Sequence, residues 1–182
     1  MSSFTPIYFC DIINISANSG GTVMHISNKC SIAVHCLLCI SEFGKETRIT
    51  SERLSMSTGI NSVTIRRIMS ALKKDGIISV KSGTGGAVLR CPAEEISLYR
   101  ICSAVEPNFL DKLFGLHSMP SPLCPVGRNI NAVLETSYKE TREALAENLK
   151  SITMTEIINN YENIVNIEDE KEKIKQQFCD FI

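Results

Sequence analysis

Residues 50–76, TSERLSMSTGINSVTIRRIMSALKKDG, decide the fold, because they contain the start and stop signals of two successive helices. Thr50 or Ser51 can cap a short first helix. Gly59 suits the left-handed backbone conformation in which many helices end. A turn of about four residues then leads into a second helix, which ends at the last glycine of the stretch. Two helices joined in this way predict a helix-turn-helix.

The second helix is predicted to be amphipathic, with an apolar face and a basic face. Asn61 or Ser62 can cap it, and apolar side chains follow at three- and four-residue steps. The apolar face consists of Ile65, Ile68, Met69 and Leu72. At about 100° per residue, the opposite face consists of Val63, Arg66, Arg67, Ser70 and Lys74. Arginine can donate two hydrogen bonds to guanine or phosphate, and small side chains let a helix enter the major groove. The alternative is a basic face that contacts only solvent.

A glycine cluster follows this helix in ISVKSGTGGAVLR, residues 78–90. A phosphate-binding glycine loop is one interpretation, but such a loop opens a helix, and Pro92 leaves room only for a short strand. Two strands joined by a glycine-rich turn fit better, because Ile78 and Val80 alternate with Ser79 and Lys81 as in a half-buried strand. Helix, turn, helix and ribbon make a winged helix. Lys81 and Thr84 lie at the predicted tip, where they would contact the DNA backbone or minor groove.

The composition indicates a globular protein with a localised positive charge. The chain has 182 residues, 43% of them hydrophobic, which suffices for one domain with an extension. Although the net charge is −1, residues 52–90 contain seven basic side chains against two acidic ones, which favours a polyanionic partner. No apolar run approaches the roughly 20 residues of a membrane span. Eight irregularly spaced cysteines without a signal peptide predict reduced thiols in the cytoplasm.

A first helix is predicted over residues 26–43, with Ser27 available as its cap. It contains Cys36 and Cys39 in a CxxC pattern. Redox CxxC pairs lie at a helix N-terminus, where the helix dipole favours the thiolate, whereas this pair lies mid-helix among leucines. Both cysteines and the neighbouring His35 are therefore interpreted as structural residues.

The longest periodic segment begins at Pro125, which fits a first helical turn. Its stripe of apolar and small side chains consists of Val126, Ile130, Val133, Ser137, Thr141, Ala144 and Asn148. A helix that reaches Lys150 would be on the order of 37 Å long, too long for so small a domain to cover. We therefore expect a second copy of the chain to bury the stripe. Shorter helices are predicted over residues 96–105 and 151–161.

These segments predict an order of five regions. Residues 1–23 contain Ser-Gly-Gly shortly before Met24, and we expect them to lie outside the folded domain, with Met24 as an alternative start. The regions are an N-terminal extension 1–23, a winged helix-turn-helix 24–92, a connecting helix and loop 93–123, dimerisation helices 124–160 and an acidic tail 161–182. The predicted fold class is mainly α with a small two-stranded antiparallel wing.

In this ordered combination the chain resembles the Rrf2 family of bacterial transcriptional regulators. The similarity extends over roughly residues 24–160 and includes AEEISLYRICSAVE and CPVGRNINAVLETSYKETREALAENLK. It implies a homodimer whose winged helices bind a palindromic operator. Several members hold an iron–sulfur cluster with three cysteines before the long helix, whereas residues 107–123 here contain no cysteine. The chain looks more like a YwnA-like branch with a single Cys-Pro-Val-Gly there, so no iron–sulfur cluster is expected.

The predicted function is a homodimeric, sequence-specific regulator of transcription, a repressor, and not an enzyme. Its expected partners are double-stranded operator DNA and a second copy, without a metal, a cofactor or a membrane. The candidate DNA contacts are Ser51, Ser62, Val63, Thr64, Arg66, Arg67, Ser70, Lys74, Lys81 and Thr84. The alternative function is redox sensing or metal binding through Cys124 or the Cys36–Cys39 pair. Helix N–H groups and Arg128 would favour a Cys124 thiolate, and the alternative for this residue is a capping role.

Overall fold

The computed structural model describes residues 27–80 and 86–167, together with Asp180. The expectations for residues 1–23, for Lys81 and Thr84, and for the tail after residue 167 lie outside the described residues. Along the described part the elements are, in order, α1 (Lys29–Phe43), α2 (Ser51–Thr58), α3 (Ser62–Lys74), β1 (Ile78–Val80), β2 (Ala87–Leu89), a 3₁₀ turn (Ala93–Glu95), α4 (Leu98–Val105), α5 (Pro125–Ser151) and α6 (Met154–Ile167).

The helix-turn-helix forms with the predicted start and stop signals. The Thr50 hydroxyl accepts a hydrogen bond from the Arg53 N–H at 3.3 Å and caps α2. Gly59 follows the helix with φ +68°, a conformation in which a side chain would be strained. Asn61 Oδ1 then accepts the Thr64 N–H at 2.9 Å and caps α3. The two caps and the glycine therefore fix where each helix begins and how the chain turns between them.

The glycine-rich segment joins two antiparallel strands, which confirms the wing. Ala87 pairs with Val80 across the strands, and its N–H donates to Ile49 O at 3.0 Å. The segment before α2 therefore lies along the wing. Gly86 permits this approach, because a Cβ there would lie 2.8 Å from Ile49 N. Ile78 is buried, as the alternation predicts, whereas Val80 on the same face of β1 is 40% exposed.

A hydrophobic core joins the three helices of the winged helix to α4 and α6. Its fully buried side chains include Leu37, Leu54, Ile65, Leu72, Ile78, Ile101 and Met154. Helix α2 contributes Leu54, and α3 contributes all four residues of its predicted apolar face. Burial on the order of 25 cal/mol per Å² of apolar surface makes this core the main source of stability for the half of the molecule that it fills.

The segment around Ile96 differs from the prediction of a helix over residues 96–105. Ile96 is extended and 0% exposed, and α4 begins only after Ser97, whose hydroxyl accepts the Arg100 N–H. The Ile96 carbonyl accepts the Met154 N–H at 2.8 Å. This backbone pairing holds residues 152–153 in an extended conformation, so the helix expected over residues 151–161 begins later, as α6.

Helix α5 is the predicted long helix, and none of its 27 residues, all of them described, is buried. At 1.5 Å per residue it is about 40 Å long. Val126 and Val133 of the predicted stripe are 69% and 66% exposed. Leu145 and Leu149 point away from that stripe, toward α1, α4 and the loop before α5. None of the described helices is long and apolar enough to cross a membrane.

Candidate nucleic-acid interface

The outward face of α3 brings most of the predicted DNA contacts together. Its apolar residues lie in the core, which directs the opposite side of the helix to solvent. The exposed residues on that side are Val63, Arg66, Arg67, Ser70 and Lys74. Ser62 and Thr64 are partly exposed in the first turn. The result is a basic helical face with small side chains at its N-terminal end, as a recognition helix requires for the major groove.

Helix α2 adds an ion pair to this surface. Arg66 Nη2 donates to Glu52 Oε1 at 2.8 Å, and Ser51 Oγ donates to the same oxygen at 3.1 Å. The Arg66 guanidinium is the main reason that the pKa of Glu52 is lowered to about 2, so the carboxylate is charged at neutral pH. Ser51 and Arg66, predicted separately as DNA contacts, are thus joined through an acidic residue that the sequence analysis did not include.

The Glu52–Arg66 ion pair is weak enough for Arg66 to exchange Glu52 for an acceptor on DNA. Both side chains are more than half exposed, at 62% and 57%, so solvent screens most of the attraction between their charges. A DNA phosphate offers Arg66 the same kind of charged acceptor. Arg66 can therefore leave Glu52 for a phosphate or a guanine at little cost in free energy.

A groove of about 480 Å³ separates the start of α2, helix α3 and the wing. Its lining includes two basic side chains, Arg48 and Lys73, that sequence reasoning did not place among the DNA contacts. Lys73 lies seven residues after Arg66, so helical spacing could have identified it. Arg48 precedes α2, and only the packing of residues 49 and 87 against each other brings it to this groove. The DNA contacts expected of Lys81 and Thr84 stay predictions, because these residues lie outside the described part of the chain.

Cys124 occupies the N-cap position of α5. It is exposed, and its Sγ accepts the Gly127 N–H at 3.4 Å. This geometry is that of the capping alternative, and it leaves the sulfur open to solvent.

The Cys36–Cys39 pair lies in a different environment, inside α1 and in the core. The two side chains are 0% and 4% exposed. Burial raises the pKa of Cys36 to about 12 and also raises the pKa of Cys39. The neighbouring His35 donates or accepts a hydrogen bond with Ser57 Oγ at 3.1 Å. A protonated, buried thiol pair is a poor nucleophile and a poor metal ligand at neutral pH.

Comparisons with known proteins place this geometry among transcriptional regulators. The model of the Rrf2 family, described as an iron-dependent transcriptional regulator, matches residues 26–160. The HTH-type regulator YwnA of Bacillus subtilis (strain 168) is 31% identical over 134 residues, which cover 74% of this chain and 97% of YwnA. The regulator IscR of Pectobacterium atrosepticum is 24% identical over 150 residues, or 82% and 87% of the two chains.

A solved structure is similar in fold as well. The crystal structure of a transcriptional regulator from Lactobacillus plantarum superposes with a TM-score of 0.63 at 20% identity, and the match covers 80% of this chain and 97% of that one. At this identity the likeness concerns the fold alone.

Iron, which the family description mentions, does not fit the residues described. Residues 107–124 contain a single cysteine, Cys124, and its sulfur caps α5. Within residues 27–80 and 86–167, no three His, Cys, Asp or Glu side chains are close enough to share a metal ion. An iron–sulfur cluster needs about four protein ligands, and the described residues do not bring that many together.

Proposed function

The chain belongs to the Rrf2 family of transcriptional regulators, and on that premise we propose that it is a homodimeric repressor that binds a palindromic operator. The observation that supports this most strongly is α3, which has a fully buried apolar side and an exposed basic side. A compact dimer that occupies promoter DNA blocks transcription by excluding other proteins from it. Sequence specificity then comes from base edges that α3 contacts, and affinity from the phosphates around them.

In this proposal the first turns of α3 enter the major groove. Ser62, Val63 and Thr64 are small enough to let the helix approach base edges closely. Arg66 and Arg67 reach guanine or phosphate oxygens from the next turn. Ser70 and Lys74 contact the phosphate backbone farther along the helix, with Lys81 and Thr84 of the wing on the flanking DNA.

The homodimer is supported by an apolar surface at the start of α5, which we name the dimer patch. It consists of Leu116, Met119, Leu123, Val126 and Val133, which are 51%, 87%, 92%, 69% and 66% exposed. Large apolar side chains that are this exposed, on the loop before α5 and on its first turns, are typical of a protein interface. A two-fold axis through the patch would make each copy cover the other. Two α3 helices would then bind half-sites about 34 Å apart, one turn of DNA.

A binding titration on the DNA upstream of its own gene, at several salt concentrations, tests the proposal. We expect the logarithm of affinity to fall linearly with the logarithm of salt concentration, with a slope of about −0.9 per phosphate contacted. The double variant Arg66→Ala/Arg67→Ala should lose affinity about 10- to 100-fold and show a shallower slope. Lys139→Ala, which removes one exposed cation from α5, is the control and should keep the wild-type slope.

Salt-independent affinity would contradict the proposal. An affinity loss in the Lys139 variant as large as that in the Arg66/Arg67 variant would also contradict it. The loss would then not depend on whether the cation lies on α3.

Thiol sensing through Cys124 is the second candidate function, and its exposed position at the N-terminus of α5 favours it. A thiol reagent should modify Cys124 in native protein at a rate within about tenfold of the rate in unfolded protein. Cys124→Ser keeps a capping oxygen and serves as the control that separates modification from loss of the cap. Protection of Cys124 until the protein unfolds would exclude this function.

A further inference from the structure

A pocket of about 230 Å³ lies where the winged helix meets α5. The side chains that line it come from α1, α4, the loop before α5 and α5 itself. Its apolar walls are Phe109, Leu110, Leu113, Leu145 and Leu149. Pockets that hold drug-sized molecules measure about 300–1,000 Å³, so this one suits a smaller molecule of one or two rings.

The polar groups at the pocket already satisfy one another. The Glu106 carboxylate accepts a hydrogen bond from Lys29 Nζ at 2.6 Å and another from Lys112 Nζ. These two ammonium groups lower the pKa of Glu106 to about 2, with Lys112 as the larger cause. With its carboxylate paired to both lysines, the pocket offers a ligand mainly apolar contacts, and it selects against strongly hydrated molecules.

Two thiols lie side by side in the lining, Cys30 from α1 and Cys102 from α4. Their side chains form a hydrogen bond, which lowers the pKa of Cys30 and raises that of Cys102. With Cys102 as the donor, this hydrogen bond favours a thiolate on Cys30, the thiol that borders the open space of the pocket. Cys102 is 5% exposed, whereas Cys30 is only partly buried and borders the open space.

We propose that this pocket binds small apolar α,β-unsaturated carbonyl compounds and that Cys30 adds to them. The sulfur forms a bond to the β-carbon, the electron pair of the carbon–carbon double bond moves to the carbonyl as an enolate, and the proton released from Cys30 ends on the α-carbon. The addition is redox-neutral and needs no further reactant. Cys102 is a positioning residue that orients the sulfur through its hydrogen bond.

Two maleimides, which share one reactive ring and differ in the substituent on its nitrogen, test the proposal on the fully reduced chain. N-phenylmaleimide is apolar, and N-(2-hydroxyethyl)maleimide is smaller and polar. Peptide mass spectrometry over time gives the rate at Cys30 and, in the same sample, at the exposed Cys124. After division by the Cys124 rate, we expect Cys30 to prefer the phenyl probe by about tenfold, because the ring transfers into an apolar pocket. Accessibility alone would favour the smaller probe.

Variants separate the pocket from the thiol. Leu113→Asn should bring the probe preference close to unity while Cys30 still reacts, because one apolar wall is lost. Cys102→Ala should slow both probes equally, and Cys102→Ser, which keeps a donor, should restore the rates. Equal relative rates for the two probes in the wild type would overturn the proposal. So would reaction of Cys30 only after unfolding, or an unchanged preference in a Leu113→Asn variant whose circular dichroism is native.

Discussion

The winged helix and helix α5 differ in how much their apolar side chains are exposed to solvent. In the winged helix, Leu54, Ile65 and Leu72 are 0% exposed, and the exposed side of α3 is basic. Helix α5 is twice as long as α3, at 27 residues against 13, yet none of these residues is buried, and Val126 and Val133 face solvent. One region is stabilised from within a single chain, and the other has an apolar side that a second chain can cover.

The largest effect is expected on stability, when a buried side chain in the core of the winged helix is shortened. Leu72→Ala should lower the free energy of unfolding by about 2–5 kcal/mol, because it removes buried contacts and leaves a cavity. Ile164→Ala on α6, where the side chain is 61% exposed, should change it by about 0.5 kcal/mol or less. Urea denaturation followed by circular dichroism measures both. Equal losses in the two variants would remove the distinction between core and surface.

The next largest effect is expected on the oligomeric state, from charges placed on helix α5. Val126→Asp/Val133→Asp should convert the proposed dimer to a monomer in sedimentation velocity, because it places two charges in the dimer patch. The monomer should still fold, since neither residue belongs to the core. Ile164→Asp introduces a charge at another exposed apolar position and should leave the dimer intact. A dimer that survives the double substitution would show that α5 does not associate through this patch.

A smaller effect is expected on DNA affinity, when the acidic residue of α2 that pairs with α3 is neutralised. Glu52→Gln removes the negative charge next to Arg66 and should raise affinity for DNA about two- to fivefold at low salt, with the difference falling as salt rises. Glu94→Gln, an exposed acid on the 3₁₀ turn, is a charge-matched control. Fluorescence anisotropy with a labelled duplex measures the change. Reduced affinity in Glu52→Gln would instead mean that Glu52 positions Arg66 for binding.

The smallest effect is a dependence of stability on pH that originates at the junction of the two regions. The folded state holds the pKa of Glu106 at about 2, below its ordinary value of 4.5, so the ion pairs with Lys112 and Lys29 stabilise the fold above about pH 4.5. That contribution should disappear as pH falls from 4.5 toward 2. The urea midpoint of Glu106→Gln should therefore vary less over this range than that of the wild type. Identical pH profiles would exclude the ion pairs as a source of stability.

Local signals predicted the helix-turn-helix, because its caps, its turn glycine and its apolar spacing all lie within residues 50–76. Contacts between distant segments escaped prediction. Residues 96–98 pair with residues 152–154, and Arg48 reaches the groove through the pairing of Ile49 with Ala87. Glu52 was missed because an acidic residue on α2 has no sequence signal for an arginine fourteen positions later. The Cys30–Cys102 pair joins α1 to α4, which no spacing within either helix indicates.

Hydroxyl-radical footprinting of the DNA upstream of its own gene tests the central claim most directly, namely that two α3 helices on one α5-linked dimer bind one operator. We expect two protected segments with related, inverted sequences, centred about one helical turn apart. Both should disappear together in Val126→Asp/Val133→Asp at protein concentrations that fully protect the DNA with the wild type. A single protected segment, or two segments that persist in that monomeric variant, would contradict the account.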